Sequence, residues 1–320
     1  MKVILVILHT LLSLTLALPI DNDRIVYPDY KIIEEIVDRF GDYERDPKSL
    51  FDDPNLLKSE NATAAYLIDD EADTKYEYGT FYQGDMILKD DQMDIINSLR
   101  PVNDQAEFND DSDLGTRTGI LWAGYRWPKN SKGTVIVPYV IDSHDFNTFD
   151  ELKILFAMLD IEKYTCIQFV PRSSERNYVH IHSGVGCNSH LGRQGGRQLI
   201  SLQRKGCMSR GTIIHELIHA LGYDHMQNHN DRDKYVYILW DNIVETQKNN
   251  FQKVSPYLFS NFGTQYDFYS VMHYEPYAFS KNGKPTVVPK DSKFNKIIGQ
   301  RNALSSGDAE RINNMYKCYS

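Results

Sequence analysis

Apolar positions fall into three regimes along the chain. From residue 1 to 18 a leucine-rich run follows Lys2, is interrupted by polar residues such as His9 and Thr10, and ends among small residues near Ala17. A bilayer span needs roughly 20 apolar residues. The run has instead the layout of a secretory signal peptide, and 1–18 is expected to be removed. Over 19–117 the pattern turns intermittent and acidic; only Ile32, Ile33, Ile36, Val37 and Phe40 keep helical spacing, which predicts one amphipathic helix. Beyond residue 118 the pattern becomes that of a folded domain. Segments 134–141, 166–170, 178–182 and 198–202 read as strands, and Phe149, Leu152, Leu155, Phe156 and Leu159 mark a helix between the first two. After His225 the pattern loosens, with short helices near 241–251 and 308–316. The expectation is an α+β domain: a twisted mixed sheet with helices in its N-terminal half, an irregular C-terminal half, and a cleft between them.

Composition narrows the function. The 320 residues carry a net charge of -9 with 41% hydrophobic residues. No basic patch is dense enough to neutralise phosphates, so no nucleic-acid partner is expected. No later segment is apolar enough for a membrane, so no membrane partner is expected and the product should be secreted and extracellular. Asn61-Ala62-Thr63 is a glycosylation sequon, at Asn61. All four cysteines, Cys166, Cys187, Cys207 and Cys318, fall after residue 118. An even number in a secreted protein favours bridges over metal thiolates. Sequence alone leaves all three pairings open.

The chemistry concentrates at 215–225. On a helix His215 and His219 stand one turn apart on one face, so their ring nitrogens can converge on one ion. Glu216 beside them is placed to take a proton from a water that the metal activates. Gly222 permits positive φ, so the helix can stop and the chain can bring in His225 as third nitrogen. Three histidines with one open position are the arrangement of catalytic zinc. His180 and His182 share a strand face but lack a third ligand, so no second metal is expected there.

The extended pattern HExxHxxGxxH, with a later turn carrying Met272, fits the metzincins. The tyrosine of Ser270-Val271-Met272-His273-Tyr274 and the Asp-Arg-Asp at 231–233 resemble the astacin family within them. The resemblance runs from Trp127 to Cys318, through TCIQFVPR, GRQGGRQLISL, HELIHALG, SVMHY, PYAFSKNGKPT and MYKC.

It implies a secreted zinc endopeptidase acting on protein or peptide substrates, with one zinc held by His215, His219 and His225. Glu216 would be the general base and Tyr274 a further ligand in the resting mature form, which swings off to stabilise the oxyanion. Met272 would lie under the metal. The implied bridges are Cys166–Cys318 and Cys187–Cys207. The resemblance also implies a zymogen: 19–117 would be a prosegment, and Asp85, in a stretch matching an FxGD pattern, would bind the zinc in place of water. This chain has one more residue between Phe81 and Gly84 than that pattern. An activating protease would cut at the exposed, charged linker ending in Arg117, leaving Thr118 as the new terminus of a catalytic domain over 118–320. Substrate is expected to pair along an edge strand at 183–189.

The chain departs from the family after the third histidine. A glutamate that holds the mature N-terminus is expected there, and Met226 stands in its place; His229 and Asn230 replace an expected arginine and proline. The competing function is a catalytically inactive binding protein of the same fold, which would have no chemical need of Glu216. Another metzincin subfamily is disfavoured by Tyr274 and by the lack of a cysteine before the domain.

Overall fold

The computed structural model describes residues 81–98, 119–120, 122–254, 259–260 and 262–319. The expectations for the leader 1–18, the helix near 32–40, Asn61, Arg117 and Thr118 lie outside these residues.

A six-stranded sheet carries the first half, with β1 (Met86–Ile87), β3 (Val135–Ile141), β4 (Ile167–Pro171), β5 (Tyr178–His182), β6 (Cys187–His190) and β7 (Arg197–Leu202). Their order across the sheet is β1-β6-β7-β5-β3-β4. All neighbours are parallel except β6 and β7, which pair antiparallel through Cys187↔Leu202 to Ser189↔Ile200. Parallel strands need crossovers and both faces covered. The near-continuous apolar run of β3, with Val135 and Val137 fully buried, fits that role.

The helix α1 (Asp90–Ser98) follows β1, and α2 (Thr148–Tyr164) connects β3 to β4. α2 starts in a capping box, with Asn147 accepting from Asp150 N–H and the Asp150 carboxylate accepting from Asn147 N–H. Its inward face is not the expected stripe. Ile154, Ala157, Met158 and Ile161 enter the core, whereas Leu152 and Phe156 are half-buried against Leu159 in a separate cluster. The polar Asp150, Lys153 and Asp160 are buried with that inward face.

The helix α3 (Arg210–Ala220) packs on α2 and on β6. Ser209 caps it by accepting from Thr212 N–H, and the chain leaves it through Gly222 at φ 105°. A Cβ at Gly222 would stand 2.7 Å from Ile120 Cγ2, so neither the conformation nor the space admits a side chain. Around the sheet, α2 and α3 lies the main core, with Val179, Ile181, Ile200, Leu202, Ile213 and Leu217 among its members.

The second half is irregular. Short antiparallel pairs join β8 (Val236–Ile238) to β10 (Val287–Pro289) and β2 (Gly119–Ile120) to β9 (Phe259–Ser260). A smaller core there holds Met226, Phe251, Tyr274 and Val287. The closing helix α4 (Ser306–Tyr316) is capped by Ser305 and Asp308. Asp308 also accepts from Ser270 Oγ at 2.6 Å and Val271 N–H at 2.9 Å, fixing the methionine turn to the end of the chain. Cys166 is joined to Cys318 and Cys187 to Cys207. The architecture is α+β, and the histidine motif lies where the two cores meet.

Candidate metal centre

Each histidine of the motif is oriented from behind. His215 Nδ1 lies 2.8 Å from the Val271 carbonyl and His219 Nδ1 lies 2.7 Å from the Tyr223 carbonyl. A carbonyl only accepts, so the protons sit on Nδ1 and the Nε2 lone pairs point the other way. His225 Nδ1 lies 3.1 Å from Gln83 Oε1, which fixes the same tautomer. Burial takes His225 down to about 3, so its ring is neutral and able to act as a ligand.

The three Nε2 atoms and the Asp85 carboxylate form one buried cluster, all within 4.8 Å of one another. His215 Nε2 is 3.1 Å from His219 Nε2 and 3.3 Å from His225 Nε2. Asp85 Oδ2 is 3.1 Å from His215 Nε2 and 3.2 Å from His225 Nε2, and Oδ1 is 3.5 Å from His219 Nε2. Lone pairs facing one another at these distances would repel if nothing lay between them. A tetrahedral zinc with bonds of about 2.0–2.1 Å separates its ligand atoms by about 3.3–3.4 Å, which is the spacing this set has. Asp85 Oδ1 makes no hydrogen bond although it is buried, the state of an atom waiting for a cation. The residues therefore fit zinc, with His215, His219, His225 and Asp85 as its four donors.

Glu216 follows His215 on α3 and is fully buried. Tyr274 is buried in the other half; its ring centre is 4.6 Å from that of His225, and its hydroxyl donates to the Gln83 carbonyl at 2.5 Å. Met272 is buried, and its carbonyl accepts from Met226 N–H at 3.0 Å.

The segment carrying Asp85 turns sharply, with Gly84 N–H bonded to Phe81 O and Met86 N–H to Tyr82 O, both at 3.0 Å. Gln83 and Gly84 both have positive φ. Tyr82 packs on the main core while Phe81 is exposed. With Tyr82 as the aromatic position, the extra residue counted from Phe81 disappears. β1 then runs along β6 in parallel, with Met86 opposite Ser189 and Ile87 opposite His190. The edge at 183–189 is thus a strand only from Cys187, and in the full chain it is already paired. Helix α1 continues over the surface, where Gln92 Nε2 donates to Leu191 O at 3.0 Å and Tyr125 hydroxyl to Asp91 Oδ2 at 2.8 Å.

Sequence reasoning missed Gln83. Its Nε2 donates to Asp224 Oδ2 at 3.0 Å, and its Oε1 also accepts from Asn228 Nδ2 at 2.5 Å. Its place one residue before the Gly-Asp pair was the only signal. Elsewhere His180 Nε2 is 3.4 Å from Asp142 Oδ2, and His190 Nδ1 contacts the Leu199 backbone. Neither joins the donor cluster.

An HExxHxxGxxH helix with convergent imidazoles, in an α+β domain with a methionine turn, defines a zinc peptidase of the metzincin class. A family model described as Astacin, a peptidase family, matches residues 124–317. The chain belongs to the astacin family of zinc metalloendopeptidases. It is 41% identical over 233 residues to embryonic protein UVS.2 of Xenopus laevis, covering 71% of this chain and 44% of that protein. To zinc metalloproteinase nas-13 of Caenorhabditis elegans it is 36% identical over 301 residues, covering 90% of this chain and 62% of that one. The chain thus spans less than two thirds of the length of these two relatives. Among solved structures it is similar to high choriolytic enzyme 1, a hatching enzyme zinc-protease from Oryzias latipes. That match has 43% identity and a TM-score of 0.58, and covers 62% of this chain and 97% of that chain.

Proposed function

We propose that this chain is a secreted zinc endopeptidase made in latent form, with Asp85 filling the zinc position that a water occupies in the processed enzyme. The single observation that carries the reading is the spacing of Asp85 from three histidine nitrogens, 3.1, 3.2 and 3.5 Å. In this reading 1–18 is a signal peptide, 19–117 a prosegment and 118–320 the catalytic domain, released by a protease cutting between Arg117 and Thr118. Asn61 would carry a glycan on the prosegment.

His215, His219 and His225 would hold the zinc, which would supply Lewis acidity toward the scissile carbonyl and toward water. The chain's own residues do the rest. Glu216 takes the proton of the attacking water and hands it to the departing amine. Tyr274, released from the Gln83 carbonyl, donates to the oxygen on which charge develops, where a fixed donor counts most in the transition state. The protein substrate lies extended along β6 in the place that β1 takes in the latent chain, using the backbone groups of 187–190.

The test is peptide hydrolysis by the full chain before and after trimming at Arg117. Trimming should switch activity on, Asp85→Ala should give activity without trimming, and Glu216→Ala should abolish hydrolysis while zinc content stays at one per chain. A trimmed protein that binds zinc and cleaves nothing would refute the reading.

A further inference from the structure

The proposed latency assigns one prosegment residue to the metal. We infer that the prosegment supplies a second positioning residue: Gln83 orients the ring of the third histidine ligand and keeps Oδ2 of Asp224 off that ring. The inference rests on the reading of Asp85 as the latent-state ligand, and concerns what stands behind the ligands.

The three imidazoles are not held alike. His215 and His219 lean on backbone carbonyls of the catalytic domain, which stay when the prosegment leaves. His225 leans on the side chain of Gln83, which leaves with it. The orientation of that amide is fixed by its neighbours. Asn228 Nδ2 and the His225 ring both donate, so Oε1 faces them, and the remaining NH₂ group faces the Asp224 carboxylate. Gln83 is 1% exposed, and Asp224, Asn228 and His225 are buried around it, so the set is a closed network rather than a surface contact.

Asp224 Oδ1 stands 3.9 Å from His225 Nδ1, beyond hydrogen-bond range, with Oδ2 tied to Gln83. Among the described residues no other acceptor contacts that nitrogen. Removing the prosegment therefore withdraws the amide from His225 and frees Oδ2 of the carboxylate beside it, while Oδ1 keeps the His225 backbone N–H as its donor. A partner behind a ligating imidazole fixes its tautomer and orientation and sets its donor strength. A neutral amide is a weaker acceptor than a carboxylate. The latent and processed forms thus hold the same three histidines, but the third has a different partner.

The experiment uses the full chain with zinc and with cobalt in its place. Zinc transfer to a chromophoric chelator and the cobalt absorption spectrum are recorded for the parent, Gln83→Leu and Gln83→Glu. Losing a partner behind a ligand weakens metal binding by about 10–100-fold, so Gln83→Leu should release zinc on the order of tenfold faster, with a changed cobalt spectrum. Gln83→Glu, which keeps the oxygen facing His225, should recover part of the loss. After trimming at Arg117 residue 83 is gone and all products are the same polypeptide; equal activity and spectra there establish that the variants folded. If Gln83→Leu fails to fold, Gln83→Ala is read in the same way. Zinc release and spectra unchanged in the full-length variants would overturn the inference. Asp85→Ala, run alongside, separates the two readings: an Asp85 variant that stays latent refutes Asp85 as the lock, whereas the Gln83 result is read from release rates alone.

Discussion

Arg311 Nη1 lies 3.6 Å from the thioether sulfur of Met226, and both residues are buried. The guanidinium is otherwise engaged by Asp308 and by Ser270 Oγ at 2.9 Å. Residue 226 is where the family resemblance places a glutamate to receive the α-ammonium of the mature terminus. Here a terminus arriving at that point would meet a sulfur with no charge, and the guanidinium behind it already takes up Asp308, so no free carboxylate at residue 226 receives an ammonium.

If 19–117 is the prosegment proposed, activity should therefore depend little on where it is cut. Forms beginning at residue 117, 118 or 119 should agree in kcat/KM within about twofold. A form beginning at 121 should lose more, because Gly119 bridges Tyr223 and Ile120 N–H bonds to Gly222 O at 2.9 Å, next to the motif. Met226→Glu should make the form beginning at Thr118 the best of the series. A steep dependence in the parent would disprove this account of Met226.

Arg210, the first residue of the metal-bearing helix, is paired through Nε and Nη2 with both oxygens of Asp160 on α2. Asp160 is fully buried, and burial raises its pKa although Arg210 pulls the other way. Removing only the cation leaves that carboxylate uncompensated, so Arg210→Leu should lower unfolding stability by about 3–5 kcal/mol. Adding Asp160→Leu should recover most of it, since a well-packed apolar pair can replace a buried ion pair. Urea unfolding of the zinc-loaded chain reads both, and an Arg210→Leu loss below about 1 kcal/mol would mean that Asp160 simply protonates in place.

These pairings explain what could be read from the sequence. His215, Glu216 and His219 are legible because one helical turn fixes their relation, and Gly222 marks where the helix must end. The inward face of α2 was not legible, because Asp150 and Asp160 are buried on it. Arg204 reaches Asp150 at 2.8 Å and Arg210 reaches Asp160, partners some fifty residues away that no hydrophobic pattern encodes. The strand edge expected to receive substrate was located near β6, but its occupation by β1 joins residues about a hundred apart. Gln83 gave no signal beyond its place before Gly84 and Asp85, since its importance comes from Asp224, His225 and Asn228 meeting it in space.

His229 gives the pH dependence a sign. It is fully buried, in contact with Asp231 and edge-on to Tyr266, and burial lowers its pKa from 6.5 despite the Asp231 carboxylate. Below about pH 6.5 the unfolded chain takes up a proton that the folded chain resists, so stability is present above that pH and is lost as pH falls. The urea midpoint of the parent should drop between about pH 7.5 and 5.5, and His229→Gln should flatten the drop. The comparison belongs in chelator, where loss of metal in acid adds nothing. An equal slope in the variant would assign the dependence to other groups.

Tyr274 should report on both proposed forms, latent and processed. In the full chain its hydroxyl donates to the Gln83 carbonyl, so Tyr274→Phe removes one buried hydrogen bond and should weaken prosegment binding by about 1 kcal/mol. In the processed form the same hydroxyl is the proposed donor to the oxygen of the attacked carbonyl. Losing one such donor costs about 100–1,000-fold in kcat when its bond forms only in the transition state. KM and zinc content should stay near the parent, because the three histidines and Glu216 are untouched. Active-site titration, zinc analysis and steady-state kinetics on trimmed Tyr274→Phe separate the cases. A fall in zinc content would make Tyr274 mainly a ligand, and an unchanged kcat would remove it from the reaction.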